Sequence, residues 1–169
     1  MRLLAALTAL GLALAGCATA DRFGAANDVH ALLVSIRDND AAAFEQHIDR
    51  PALKREIEAR LVARTQAADM DPAARALGAI FAKPLAEAAG DAVLRPAVFR
   101  AVAEYYGYSP SRPLPGPLAI GSALRPAGEE RICAPRSKDG PCMLIFTRTE
   151  GVWRLSGFEG DSSQLQLAP

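Results

Sequence analysis

Three cysteines and two histidines are the whole supply of thiols and imidazoles in this chain. Nucleophilic catalysis by Ser or Cys needs a base within hydrogen-bond reach, so His30 and His47 are the only imidazoles available for it. His30 follows Val29 in an apolar-periodic stretch and His47 precedes Ile48, contexts that point to packing or surface roles. No G-x-S-x-G elbow, H-E-x-x-H pair, P-loop or G-x-G-x-x-G turn occurs. The free His, Cys and carboxylate side chains do not fall at zinc-ligand spacing. Asp38, Asp40, Glu45 and Asp49 lack the alternation and central Gly of a calcium loop, and helix capping accounts for two of them. Tyr105, Tyr106 and Tyr108 form the densest aromatic cluster, read as a helix end packing on a sheet. The expectation is a protein without metal, cofactor or catalytic group.

The third cysteine belongs to a different chemistry. Met1-Arg2 gives a short positive start, and Leu3 to Leu14 is apolar apart from Thr8 and Gly11, the pattern of a secretory signal. These 12 residues are too few to cross a hydrocarbon core of about 30 Å at a helical rise of about 1.5 Å per residue. The run ends in Leu14-Ala15-Gly16-Cys17, which resembles the bacterial lipoprotein lipobox at all four positions. That resemblance implies cleavage after Gly16 and acylation of Cys17, hence residues 1–16 as signal peptide. A triacylated Cys17 exceeds the two-chain threshold for stable anchoring. The expected location is the periplasmic side of the cell envelope. Ala18, where an Asp would favour inner-membrane retention, directs the expectation to the outer membrane.

Cys133 and Cys142 would then lie in a compartment that permits disulfides. Their spacing suits neighbouring strands joined by a loop around Pro135 to Pro141. A two-residue turn at Asp139-Gly140 would instead set Cys133 opposite Phe146; Pro141 argues against it, because the residue after such a turn should donate a ladder bond. A Cys133–Cys142 disulfide is therefore expected, and without a C-x-x-C a redox role is not.

The elements that position these groups divide the mature chain in two. Residues 17–27 read as the lipidated cysteine and a tether of small and polar residues, and residues 28–106 as helical. Asn27 is an N-cap candidate before Val29, Leu32, Leu33 and Ile36; a short helix follows from Ala41 to about His47; Asp49-Arg50-Pro51 starts another with Leu53, Ile57 and Leu61 at spacing four. Asp71-Pro72 opens a helix with the apolar stripe Leu77, Ile80, Phe81 and Leu85, which Pro84 should kink or divide. Arg95-Pro96 begins the last, with Val98, Phe99, Val102 and Tyr106 on one side. Residues 107–117 hold a proline-rich connection, and residues 118–169 read as sheet.

Four strands are expected there: Leu118 to Leu124, Glu130 to Ala134, Cys142 to Thr149, and Val152 to Phe158. A turn at Glu150-Gly151 would pair Phe146 with Leu155 and Arg148 with Trp153. Leu144, Phe146, Trp153 and Leu155 then share one face. Ile145, Val152 and Phe158, with Met143, fall on the other, a candidate binding surface because both sides of the hairpin are partly apolar. The expected architecture is α+β, an N-terminal helical layer followed by an antiparallel meander of three to four strands.

Ile36-Arg37-Asp38-Asn39-Asp40-Ala41-Ala42-Ala43-Phe44, running into Asp49-Arg50-Pro51-Ala52-Leu53, resembles the start of the bacterial domain-of-unknown-function family 2939. Ala92-Val93-Leu94-Arg95-Pro96 and Gly151-Val152-Trp153-Arg154-Leu155 are similar to its later parts, with Arg95 where that family usually has Thr. The resemblance implies an envelope domain and transfers no catalytic residue. The balance of 19 basic and 19 acidic side chains lacks the basic footprint of a nucleic-acid binder. The functional expectation is a lipid-anchored envelope module that binds a protein partner, with an apolar-ligand or lipid-binding module as the alternative and a hydrolase third. A pocket lined by Leu, Phe and Met would favour the ligand; an exposed apolar patch would favour the partner.

Overall fold

The computed structural model describes residues 22–67, 71–105, 107–137 and 139–159. Helices come first: α1 over 22–38, α2 Ala41–Gln46, α3 Arg50–Ala67, α4 Pro72–Val93, α5 Pro96–Tyr105 and α6 Pro117–Ala123. Four strands follow, β1 Arg125–Pro126, β2 Arg131–Pro135, β3 Cys142–Thr149 and β4 Val152–Phe158, in one antiparallel sheet of order β1-β2-β3-β4. The architecture is α+β with the sheet last.

Local chemistry sets the helix ends. The Asp40 carboxylate accepts from the Ala42 and Ala43 amides at 3.0 Å each, Asp49 accepts from Ala52 at 2.9 Å, and Asp71 from Ala73 at 2.6 Å. Each cap satisfies otherwise orphaned donors and contributes about 1 kcal/mol. With Asp38 paired to Arg37 and Glu45 to Arg50, every carboxylate of the acid-rich stretch has a structural partner.

Two expectations are corrected here. The tether does not extend to Asn27, because residues 22–27 are already helical. Ala25 and Ala26 are fully buried, small enough to let α6 approach. Likewise Pro117 to Ala123 is helix rather than strand: Pro117 sits at the helix start, where its fixed φ and missing N–H suit the first turn. Pro84 lies inside α4 without dividing it.

One face of the sheet carries Ile132, Phe146, Trp153 and Leu155 into a core with Val29 and Leu32 of α1, Phe44 of α2, Leu53 of α3 and Ile120 of α6. The hairpin turn is Glu150-Gly151, both residues at positive φ, the conformation whose twist matches that of paired strands. Phe146 opposes Leu155 and Arg148 opposes Trp153.

Beyond Leu155 the register shifts. Ile145 opposes Gly157, and Leu144 opposes Phe158, so Ser156 is the extra residue of a β-bulge. Its hydroxyl donates to the Ile145 carbonyl at 3.3 Å and lies 2.7 Å from the Thr147 hydroxyl. A bulge moves every later residue to the other side, which places Phe158 on the helix-facing side.

The outer edge of β4 is sealed rather than left to solvent. The Trp153 amide donates to the Asp28 carboxylate at 2.9 Å. Leu155 donates to the His47 carbonyl and accepts from the Asp49 amide, at 2.9 and 2.8 Å. Arg60 donates to the Phe158 carbonyl. At the opposite edge β1 has two residues, one of them Pro126, which cannot extend a ladder.

Candidate apolar groove

The residues singled out by sequence fall in several places. Cys17 lies outside the described residues. Cys133 and Cys142 form the disulfide, with a Cα–Cα distance of 5.6 Å. Ile145, Val152 and Phe158 do not share a surface. Ile145 is only 3% exposed, in a cross-strand row with Cys133 and Gly157; Val152 is half-buried at the turn; Phe158 has crossed to the helical side. His30 donates from Nδ1 to the Pro115 carbonyl at 3.0 Å, fixing the proline-rich connection on α1. Tyr105 is exposed and Tyr108 half-buried, and the Tyr106 position is outside the described residues.

His47 stands with its Nδ1 3.9 Å from the Asp28 carboxylate, too far for a hydrogen bond. That nitrogen has no hydrogen-bond partner among the described residues. Burial lowers the His47 pKa below that of a free imidazole, with Arg154 adding to the effect and Asp28 opposing it. Asp28 already holds the Trp153 amide, so the pair serves the sheet edge, and it lines none of the cavities described below.

The crossing of Phe158 creates a groove. Phe158 and Leu144, opposite each other on β4 and β3, form its floor with Met143, while Val98, Phe99 and Val102 of α5 form one wall. Ile57 of α3 and Val93 with Leu94 at the end of α4 complete it, enclosing about 480 Å³. The volume is within the range of small-ligand sites, roughly 300 to 1,000 Å³. Val102 is 51% exposed and Leu144 39% exposed, so the apolar wall is open to solvent rather than collapsed.

The two charged residues at the groove, Arg60 and Glu159, frame it without filling it. Arg60 bonds Glu56 at 2.8 Å and stacks its guanidinium 4.9 Å from the centre of the Phe158 ring. A cation over an aromatic face is attracted by the ring quadrupole, so Arg60 orients the floor residue. Phe99 is held from behind by an edge-on contact with Phe44, ring centres 5.3 Å apart. The lining was visible in sequence as separate helical faces; their convergence was not, because it depends on the bulge.

A second feature lies on α4. At spacing four, Ala82, Ala86 and Gly90 are buried on the face turned to α3. A Cβ at Gly90 would meet the Lys54 stem at 2.6 Å, so a larger residue there would have to displace the Lys54 side chain. Lys54 bridges back to Glu87 at 2.6 Å and Asp91 at 2.8 Å; Asp91 and then Glu87 hold its pKa above the usual lysine value, and Lys54 lowers that of Asp91. The large residues Leu77, Ile80, Phe81 and Leu85 occupy the other face and are 54–67% exposed.

Among the described residues no group of three or more His, Cys, Asp or Glu could hold a metal, and no helix is long and apolar enough to cross a membrane. No curated protein and no solved structure matches the chain. Residues 10–102 match the model of a family described as a protein of unknown function, DUF2939. That match takes in more than half of the 169 residues, the region that builds α1 to α4 and all but the last three residues of α5, and the chain belongs to the DUF2939 family.

Proposed function

We propose that the chain is an envelope lipoprotein, anchored through acylated Cys17, whose groove between α5 and the β3–β4 hairpin takes the apolar chain of a lipid-like ligand. The observation that carries this reading is a cavity of about 480 Å³ lined mainly by Val, Leu, Ile, Phe and Met. Such a lining rewards methylene burial and offers a polar headgroup little besides the rim, so an acyl or alkyl chain is the ligand class that fits. Burying about ten methylenes gains about 8 kcal/mol, the equivalent of a Kd of about 1 μM before association costs, which weaken binding further.

A fluorescent naphthylamine probe titrated into the purified protein tests it. The probe should brighten on binding and be displaced by a long-chain fatty acid. Val102→Glu, which puts a charge on the open wall, should remove the signal while leaving the thermal midpoint nearly unchanged. Equal probe binding by wild type and Val102→Glu would reject the groove. The exposed face of α4 favours a second reading, a protein partner docked on Leu77, Ile80, Phe81 and Leu85. Cross-linking from intact cells at a photoreactive residue in place of Ile80 would reveal that partner.

A further inference from the structure

We infer that the α1–α6 end of the domain lies directly on the bilayer, with Phe23 and Leu118 seated at the boundary between headgroups and acyl chains. The inference rests on acylation of Cys17 and adds an orientation to it. Because α1 is already helical at residue 22, four residues separate it from Cys17. The extended chain reaches at most about 3.6 Å per residue, so the first turn of α1 stays within about 18 Å of the anchored cysteine. The domain has no room to stand away from the membrane.

The surface presented there suits a lipid. Phe23 is 40% exposed and Leu118 75% exposed. Phe23 is seated on α6 through Gly121, where an added Cβ would come within 2.9 Å of its ring. From Pro113 to Leu124 the sequence has no charged residue, so α6 can meet headgroups without desolvating a charge. The charges that flank this stretch in sequence, Arg112 and Arg125, are basic, the sign attracted to an anionic lipid surface, and beside Phe23 the basic Arg22 follows the acidic Asp21. Apolar side chains carried into this boundary add binding in proportion to the area they bury.

The test uses the full lipidated chain in vesicles of phosphatidylethanolamine and phosphatidylglycerol. An environment-sensitive nitrobenzoxadiazole label is placed on Leu118→Cys or, on α4, Leu77→Cys, with the Cys133–Cys142 bridge kept oxidised. The label at 118 should shift its emission to the blue on reconstitution and be quenched by doxyl lipids, while the label at 77 stays in water. An aqueous signal from 118 in vesicles, or burial of 77 instead, overturns the orientation while leaving the anchor intact. Intact mass measured on the same samples reads the anchor separately: a Cys17 without acyl chains overturns the anchor, and this orientation with it. Position 118 is exposed enough that the label leaves the fold undisturbed, which an unchanged thermal midpoint verifies.

Discussion

Truncating Phe158 to Ala, beside Phe146 to Ala, separates the groove from the core. Phe146 is 2% exposed and packs with the buried residues of the helices, so its loss should cost about 3–5 kcal/mol. Phe158 is half-buried at the groove floor. Its truncation removes the Arg60 stacking, worth about 0.5–1 kcal/mol, and the cross-strand contact with Leu144, worth about 0.2–1 kcal/mol. With its partial burial, a total near 2 kcal/mol is expected. At about 4 °C per kcal/mol for a domain of this size, the midpoint should fall by about 8 °C for Phe158→Ala and by about 12–20 °C for Phe146→Ala. Binding should show the reverse order. Phe158→Ala should weaken an apolar probe about tenfold, the equivalent of about 1.4 kcal/mol, measured at a temperature where both variants are folded. Phe146→Ala should leave the remaining folded fraction binding normally. Equal destabilisation by the two truncations would refute the placement of Phe158 by the bulge, and an unchanged probe Kd in Phe158→Ala would refute the groove.

Cys17→Ser should abolish incorporation of a palmitate analogue and leave unprocessed precursor; wild-type labelling of that variant would remove the lipobox reading. Cys133 and Cys142 should resist alkylation in denatured, unreduced protein, and reduction should cost about 2.5–3 kcal/mol through the loop entropy of the unfolded chain, read from denaturant midpoints; alkylation of two free thiols without reductant would contradict the bridge. Because burial lowers the His47 pKa on folding, the unfolded state binds the proton more tightly. Stability should therefore be complete above about pH 6.5 and decline as pH falls toward the lower folded value. Asp28→Asn removes the charge opposing that shift and should steepen the decline; a flat stability profile between pH 7 and pH 5 that His47→Gln leaves unchanged would dismiss the linkage.

Much of the hairpin was legible because its signals are local. Alternating apolar residues in β3 and β4 and the Glu150-Gly151 turn determine pairing at Phe146–Leu155 and Arg148–Trp153. The bulge was not, since Ser156-Gly157 continues the alternation without announcing an extra residue; Gly157 inside a strand was the available hint. Leu118 to Leu124 misled because a short apolar run has no decisive period, and Pro117 was the signal that identified a helix. The beginning of α1 was hidden by its small residues, which look like linker in sequence and serve as close-packing surface in the fold. The stripe on α4 shows the converse: its periodicity is that of a helix, but periodicity cannot say whether the large or the small face meets α3, and here Ala82, Ala86 and Gly90 meet it.

The sealing of β4 ties the order of synthesis to the order of folding. The hydrogen bond between Asp28 and Trp153 joins residues 125 apart, and the Ile48–Leu155 bridge closes another long loop. A chain emerging amino end first exposes α1 to α3 well before their covering strand exists. Val29, Leu32, Phe44 and Leu53 all pack in the core that includes Phe146, Trp153 and Leu155, so the segment in the family match, residues 10–102, supplies only one side of that core. Assembly of such non-local contacts is slow because loop closure precedes the contacts that reward it. Under the export proposed with the Cys17 anchor, that delay would be useful: the chain would stay unfolded through translocation, and the arrival of its last strand would complete the core.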